Sequence, residues 1–328
     1  MKDNKLGIMP ISKLIWNMSL PIIVSMLVQA LYNIVDSVFV SQVSEQALTA
    51  VTLAFPAQNL MIGLATGTAV GVNALLGRAL GAGDGKRADQ VAINGIFLAV
   101  VGFVLSAVLA LCFGGTFFRT QTDIDYIVDN GITYLRICCC ASLGMFCQIM
   151  FERLLQGTGR SILSMYTQGL GAIVNIVLDP IFIFVFKMGV AGVATATVIS
   201  NFFSACMILY FLTHEEEMLR LDFRKLRIRW KYLLGIIKIG LPAGLQSMVF
   251  SLSNVVIQAA INSFGSDGIA GSTAEQNFEF MAYFVINAFA QTATTFTSQN
   301  FAAQDKERCK KIYRHCTFIG LASCLGLS

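Results

Sequence analysis

Residues 90–118 read QVAINGIFLAVVGFVLSAVLALCFGGTFF, a run of 29 positions without one charged side chain. An apolar run of about 18 residues or more is long enough to cross a bilayer as a helix, with every backbone N–H and C=O paired inside the segment. Outward from this run the pattern repeats: 46–77, 161–178, 188–213, 239–266 and 280–304 are also free of charge. The chain of 328 residues is 55% hydrophobic and 13% charged, with a mean hydropathy of +0.69. Soluble domains carry roughly 25% charged residues. The sequence therefore reads as an all-α integral membrane protein rather than a soluble domain.

Nine segments are expected: 14–40, 51–78, 92–115, 126–152, 162–186, 188–212, 236–263, 270–300 and 315 onward. Basic residues mark the sides. Twenty of the 23 Lys and Arg residues fall in the amino terminus and the second, fourth, sixth and eighth connections, the sixth alone holding Arg220, Arg224, Lys225, Arg227, Arg229, Lys231 and Lys238. Arg119 and Lys187 occupy the intervening connections, and Arg136 lies within the fourth segment. Positively charged loops stay in the cytoplasm. The amino terminus is thus expected there, in a multi-pass protein of the cell inner membrane, with lipid around it. The basic loops account for the net charge of +4 without a nucleic-acid partner. The start, MKDNKLGIMPISK, lacks a cleavage pattern after a short apolar region, so the first segment is expected to be retained. Nine cysteines without a C-x-x-C pair read as small buried hydrophobes.

Shifted by 221 positions, the chain lies on itself: Leu20-Pro21 on Leu241-Pro242, Asn33 on Asn254, Thr52 on Thr273, Asp84 on Asp305 and Arg87 on Arg308. Six segments per repeat give both copies one orientation, as in transporters built from parallel repeats about an axis along the membrane normal. The expected organisation is a six-helix lobe over 1–212, a basic linker over 213–235 and the start of a second lobe over 236–328, the first two to three helices of it. Doubling the repeat would make a protein of about 440 residues, of which this chain would be a fragment.

A carboxylate inside a membrane segment costs about 2.5–3.5 kcal/mol on insertion scales, and such groups usually face an internal cavity and carry function. Counting along the segments puts Asn33 and Asp36, Asn175 and Asp179, Tyr134 and Arg136, and Thr195 and Thr197 at similar depth on four helices. Asn175 and Asp179 share a helix face at i, i+4, and Pro180 withdraws a donor from the carbonyl of residue 176. Hard oxygen ligands around carboxylates suit a proton or a small cation such as Na+. The alternative is a structural ion pair of Asp36 or Asp179 with Arg136. A second cluster, Glu275, Gln276 and Glu279, with Phe278, Phe280 and Tyr283 nearby, offers a seat for cationic substrates, or else an exposed helix end. Gly63, Gly67 and Gly71 form a doubled G-x-x-x-G, which calls for close helix packing.

Five motifs in order carry a family resemblance: NMSLPIIVSMLVQALYNIVDSVFVS at 17–41, GRALGAGD at 77–84, YLRI at 134–137 followed by LLQGTGR at 154–160, NIVLDPIFIF at 175–184, and GVAGVATATVIS at 189–200. Together they resemble the multidrug and toxic compound extrusion (MATE) family, over the whole chain as one lobe and the start of the other. That resemblance implies a non-enzymatic antiporter. It would export a small, cationic substrate by alternating access between two six-helix lobes, as a monomer, with H+ or Na+ as coupling ion and no other cofactor. Carried onto matching positions, the family's cation site would be Asp36, Asn175, Asp179 and Thr197, with Tyr134 lining the cavity. The chain departs from the pattern at Glu152, where many members have an asparagine. Beside Arg153 this glutamate reads as an interfacial pair, outside the coupling site. A lipid-linked oligosaccharide flippase of the same superfamily is the alternative, but basic cavities suit pyrophosphate and this one reads as acidic. An intramembrane aspartyl protease is disfavoured, because Asp84 of GAGD falls in a basic loop far from Asp36 and two adjacent aspartates are required.

Overall fold

The computed structural model describes residues 9–214, 227–262 and 265–327. Ten helices account for nearly all of them: α1 (Ile11–Val43), α2 (Glu45–Gly81), α3 (Gly85–Arg119), α4 (Asp125–Cys140), α5 (Leu143–Gly157), α6 (Ser161–Pro180), α7 (Val190–His214), α8 (Trp230–Asn262), α9 (Gly265–Ala302) and α10 (Lys306–Leu327). Among the described residues six are long and apolar enough to cross a membrane, and α4 with α5, bent by 47° at their junction, count as a seventh when the pair is taken as one span. The expected fourth segment is therefore broken. Neither Pro nor Gly marks the break; buried Ser142 turns its Oγ onto the Cys139 carbonyl at 2.8 Å, offering the backbone a partner outside the helix.

The helices outrun their apolar runs. Pro21 lies ten residues inside α1, and Pro242, its equivalent in the repeat, lies inside α8. α1 and α2 are parted by one extended residue, Ser44, whose Oγ accepts from the Ala47 N–H at 3.0 Å. After Pro180, which has no N–H to donate, the helix widens into a π turn over Ile181–Val185.

The repeat is visible at the level of single hydrogen bonds. Between α2 and α3, Gly83 takes φ +72° and Asp84 caps α3 by accepting from the Arg87 N–H at 3.0 Å. Between α9 and α10, Gln304 takes φ +63° and Asp305 accepts from the Arg308 N–H at 2.9 Å. These are the residues that a shift of 221 superposes. The backbone bonds Asp84 N to Ala79 O and Asp305 N to Asn300 O, both 3.0 Å, repeat with them.

One apolar core runs through α1 to α8, from Val40 through Leu76, Phe146 and Leu154 to Ile236. A second joins the first half of α1 (Leu14, Ile15, Met18, Ile22) to Ala288, Phe289 and Phe296 of α9 and Ile312 and Cys316 of α10. The two repeats are sewn together by α2 crossing α8. A Cβ on Gly67 would stand 2.6 Å from the Gly240 carbonyl oxygen and from Gly244 Cα, and Gly63 and Gly71 face Met248 and Ile236. The doubled glycine motif is thus a backbone-to-backbone crossing. Asn94, fully buried on α3, ties down the chain entering α8: it accepts from the Arg229 N–H at 2.9 Å and donates to the Arg227 carbonyl at 3.4 Å. The eight described cysteines are unpaired; Cys138, Cys139 and Cys316 are buried, but Cys112, Cys140 and Cys206 are exposed, against expectation.

Candidate functional site

The second half of α1 packs along α6, and this pairing brings two carboxylates face to face. Asp36 and Asp179 lie within hydrogen-bonding reach of each other. Asp179 is fully buried and Asn175 nearly so. Asn175 donates from Nδ2 to Thr197 Oγ1 on α7 at 3.4 Å. Four buried oxygens then have no donor: Asp36 Oδ1, Asp179 Oδ1 and Oδ2, and Asn175 Oδ1. Buried polar atoms normally find partners, and four acceptors gathered in this way have the chemistry to take up a proton or a cation. Asp179 stands directly before Pro180 and the π turn, a helix irregularity of the kind that recurs at functional sites.

The wall beside the carboxylates comes from α1, α2 and α4. Tyr32 lies one turn before Asp36 on α1, close enough to feel both carboxylates, with Gln29 in hydrogen-bond reach of it. Gln29 in turn accepts from Gln168 of α6 at 3.3 Å. Tyr134 is buried near Asp36, and its hydroxyl accepts from Gln58 Nε2 at 3.2 Å; the same nitrogen lies 3.7 Å from Cys138 Sγ. Tyr32 could have been found in the sequence as the i−4 neighbour of Asp36. Gln58 could not, because its role depends on how α2 meets α4.

Of the predicted residues, Asp36, Asn175, Asp179, Thr197 and Tyr134 come together. Asn33 is exposed on α1. Arg136 corrects the reading: it is exposed, on the face of α4 opposite Tyr134 and Cys138, since two residues along a helix turn through about 200°. Among the described residues it pairs with neither aspartate, so the structural ion pair falls away too. Thr195 is spent on its own helix, bonding the Ala191 carbonyl at 2.7 Å. The side chains of Glu275 and Gln276, and that of Phe278, lie outside the described residues. Glu279 is exposed on α9, one residue before Phe280. There Tyr283 stacks on Phe250 of α8 at 5.8 Å and 9°, and Phe280 on Phe284 at 6.4 Å.

Among the described residues no cluster of three or more His, Cys, Asp or Glu side chains stands ready for a metal ion. Two carboxylates with amide and hydroxyl oxygens instead fit a proton or a small, hard monovalent cation.

A family model described as MatE matches residues 21–181 and 242–328. The chain belongs to the MATE family. Among curated relatives it is 25% identical over 313 residues to the FAD transporter of Shewanella oneidensis, covering 92% of this chain and 68% of that one. It is 27% identical over 303 residues to the probable multidrug resistance protein YoeA of Bacillus subtilis, covering 90% and 65%. A MOP superfamily transporter from Pyrococcus furiosus superposes with a TM-score of 0.90 at 28% identity, covering 97% of this chain and 71% of that chain. The MATE chain thus spans about two thirds of the length of these curated relatives, and its gap in the family match, 182–241, includes the basic linker.

Proposed function

We propose that this MATE protein is a cation-coupled antiporter that exports amphipathic, cationic small molecules across the cytoplasmic membrane, its amino terminus in the cytoplasm. The observation that carries the proposal is the meeting of Asp36 and Asp179 among four undonated oxygens. Two ionised carboxylates this close repel strongly where water is scarce, and a proton or Na+ between them offsets that repulsion. Loading therefore favours α1 held against α6, and unloading favours their separation. Helix α1 is the natural carrier of this difference. Its second half bears Asp36, its first half is built into the core shared with α9 and α10, and Pro21 lies in that first half as a place to bend.

The substrate side of the proposal rests on sign and surface. Asp36, Asp179 and Glu279 are acidic, Arg136 faces away from the site, and the stacked rings of Phe250 and Tyr283 and of Phe280 and Phe284 each include one close to Glu279 in the chain, residue types that favour a cation.

The test is ethidium efflux from vesicles holding the whole protein, with sodium and pH gradients imposed separately. One of the two gradients alone should drive export. Efflux indifferent to both would remove cation coupling.

A further inference from the structure

A second set of polar contacts, centred on a carboxylate of α5, lies apart from the site above. Glu152, half-buried on α5, begins a chain of polar contacts that ends on the other repeat. Its Oε1 accepts from Gln156 Nε2 at 3.0 Å, one turn further on. Gln156, almost wholly buried, turns its Oε1 to Arg153 Nη1 at 3.0 Å, and its nitrogen also reaches Ser164 Oγ of α6 at 3.5 Å. Arg153 Nη1 crosses to α9 and donates to Gln291 Oε1, while Gln291 Nε2 donates to Asn287 Oδ1 at 2.8 Å. Glu152 and Arg153, adjacent in sequence, are therefore not the simple interfacial pair expected of them: each bonds to Gln156, and the arginine spends itself on the opposite repeat.

The position of this chain gives it leverage. Around it the two repeats meet through neutral contacts: Asn73 Nδ2 to Thr295 Oγ1 at 3.0 Å, Gln299 Nε2 to the Gly157 carbonyl at 2.7 Å, and Gly77 against Ser298. The Arg153 contact is the one in the group that involves a full charge. A half-buried guanidinium bonded to two amide oxygens needs a nearby negative charge to offset its desolvation, and leaving such a cation uncompensated is expensive. That negative charge is Glu152, the charged neighbour with which Arg153 interacts. Where α2, α3 and α7 press on α5 they present Asn73 and Leu76, Gly95 and Gly102, and Phe202, while α6 presents Ser164 and α9 presents Gln291 and Gln299, all uncharged.

We propose that Glu152 is a second proton-binding site, separate from the aspartate pair, and that its ionisation holds the two repeats closed at this end. With Glu152 ionised, Arg153 is compensated and keeps Gln291. With Glu152 protonated, Arg153 is left as a cation among neutral amides, and the repeats part so that water reaches it. Acid thus opens this end, and the sign follows from the charge of the arginine.

The inference touches the transport reading only in supposing that the repeats separate here, and its test measures separation rather than flux. Spin labels carried on unnatural amino acids at Lys86 of α3 and Lys306 of α10, both exposed, report the distance between the repeats in nanodiscs. In the whole protein, moving from pH 8 to pH 5 should raise the ratio of long to short distances about tenfold. Glu152→Gln, which keeps the shape and the Gln156 contact, should show the long distance at both pH values. Adding Arg153→Gln should restore the short distance at both, because no charge then needs compensation. Asp36→Asn with Asp179→Asn should leave the pH response in place, which separates this site from the coupling site. A Glu152→Gln protein that stays short at pH 8, or that keeps the wild-type response to acid, overturns the proposal.

Discussion

Gly77 of α2 lies directly against Ser298 of α9, the residue that the 221-position repeat makes its equivalent. A residue touching its own counterpart sits beside the pseudo-two-fold axis, so the axis passes between these two helices. Asn73 and Thr295, 222 positions apart, bond across the same line. Any side chain at 77 would enter the space held by Ser298. Gly77→Leu should destabilise the closed arrangement by about 1–3 kcal/mol and lengthen the Lys86–Lys306 distance. A variant with the wild-type distance would show that the axis lies elsewhere.

The α2–α8 crossing gives a graded prediction. A Cβ at Gly67 meets backbone atoms of Gly240 and Gly244 at 2.6 Å, which cannot yield, whereas a Cβ at Gly63 meets the Met248 side chain at 3.2 Å, which can. Gly67→Ala should lower the melting temperature markedly and Gly63→Ala only slightly. Thermal unfolding in detergent, followed by tryptophan fluorescence, decides it; the reverse order would contradict the packing.

Asn94 predicts a change in protease sensitivity. Its amide is the buried clasp on the backbone at Arg227 and Arg229. Asn94→Leu leaves those backbone groups unpaired, at about 1–3 kcal/mol, and frees a basic stretch that trypsin recognises. Limited tryptic cleavage after Arg227 or Arg229 should quicken severalfold, with no change where the clasp is immaterial.

The membrane fold was legible because charge-free runs of this length leave few alternatives, and the repeat because Asp84 and Asp305 recur in step and both prove to be helix caps. The pairing of Asp36 with Asp179 was legible for a related reason: a carboxylate in an apolar segment is expensive enough to demand a partner. What depth cannot supply is direction around a helix. Tyr134 and Arg136 stand at nearly the same level, yet about 200° of rotation separates them, so one faces the site and the other turns away from it. The α4–α5 break was hidden because a serine hydroxyl, not a proline or glycine, competes for the backbone. The Glu152 chain was hidden because Gln156 and Gln291, 135 residues apart, are ordinary amides until the repeats are folded together.

On the substrate side, Glu279→Gln and Tyr283→Ala should each weaken binding of a cationic dye by roughly 2- to 30-fold, the range of a cation–π or exposed charge contact. Binding of a neutral dye of similar size should hold. Fluorescence titration in nanodiscs compares the two; equal losses for both dyes would assign these residues to folding instead.

The central claim is that Asp36 and Asp179 together hold the coupling ion. It is tested most directly by ethidium efflux from vesicles containing the whole protein, compared with Asp36→Asn and Asp179→Asn inserted to the same level. The account predicts that each variant loses at least about tenfold in rate and no longer responds to the gradient that drives the wild type. Export at the wild-type rate by both variants, still following that gradient, would contradict it.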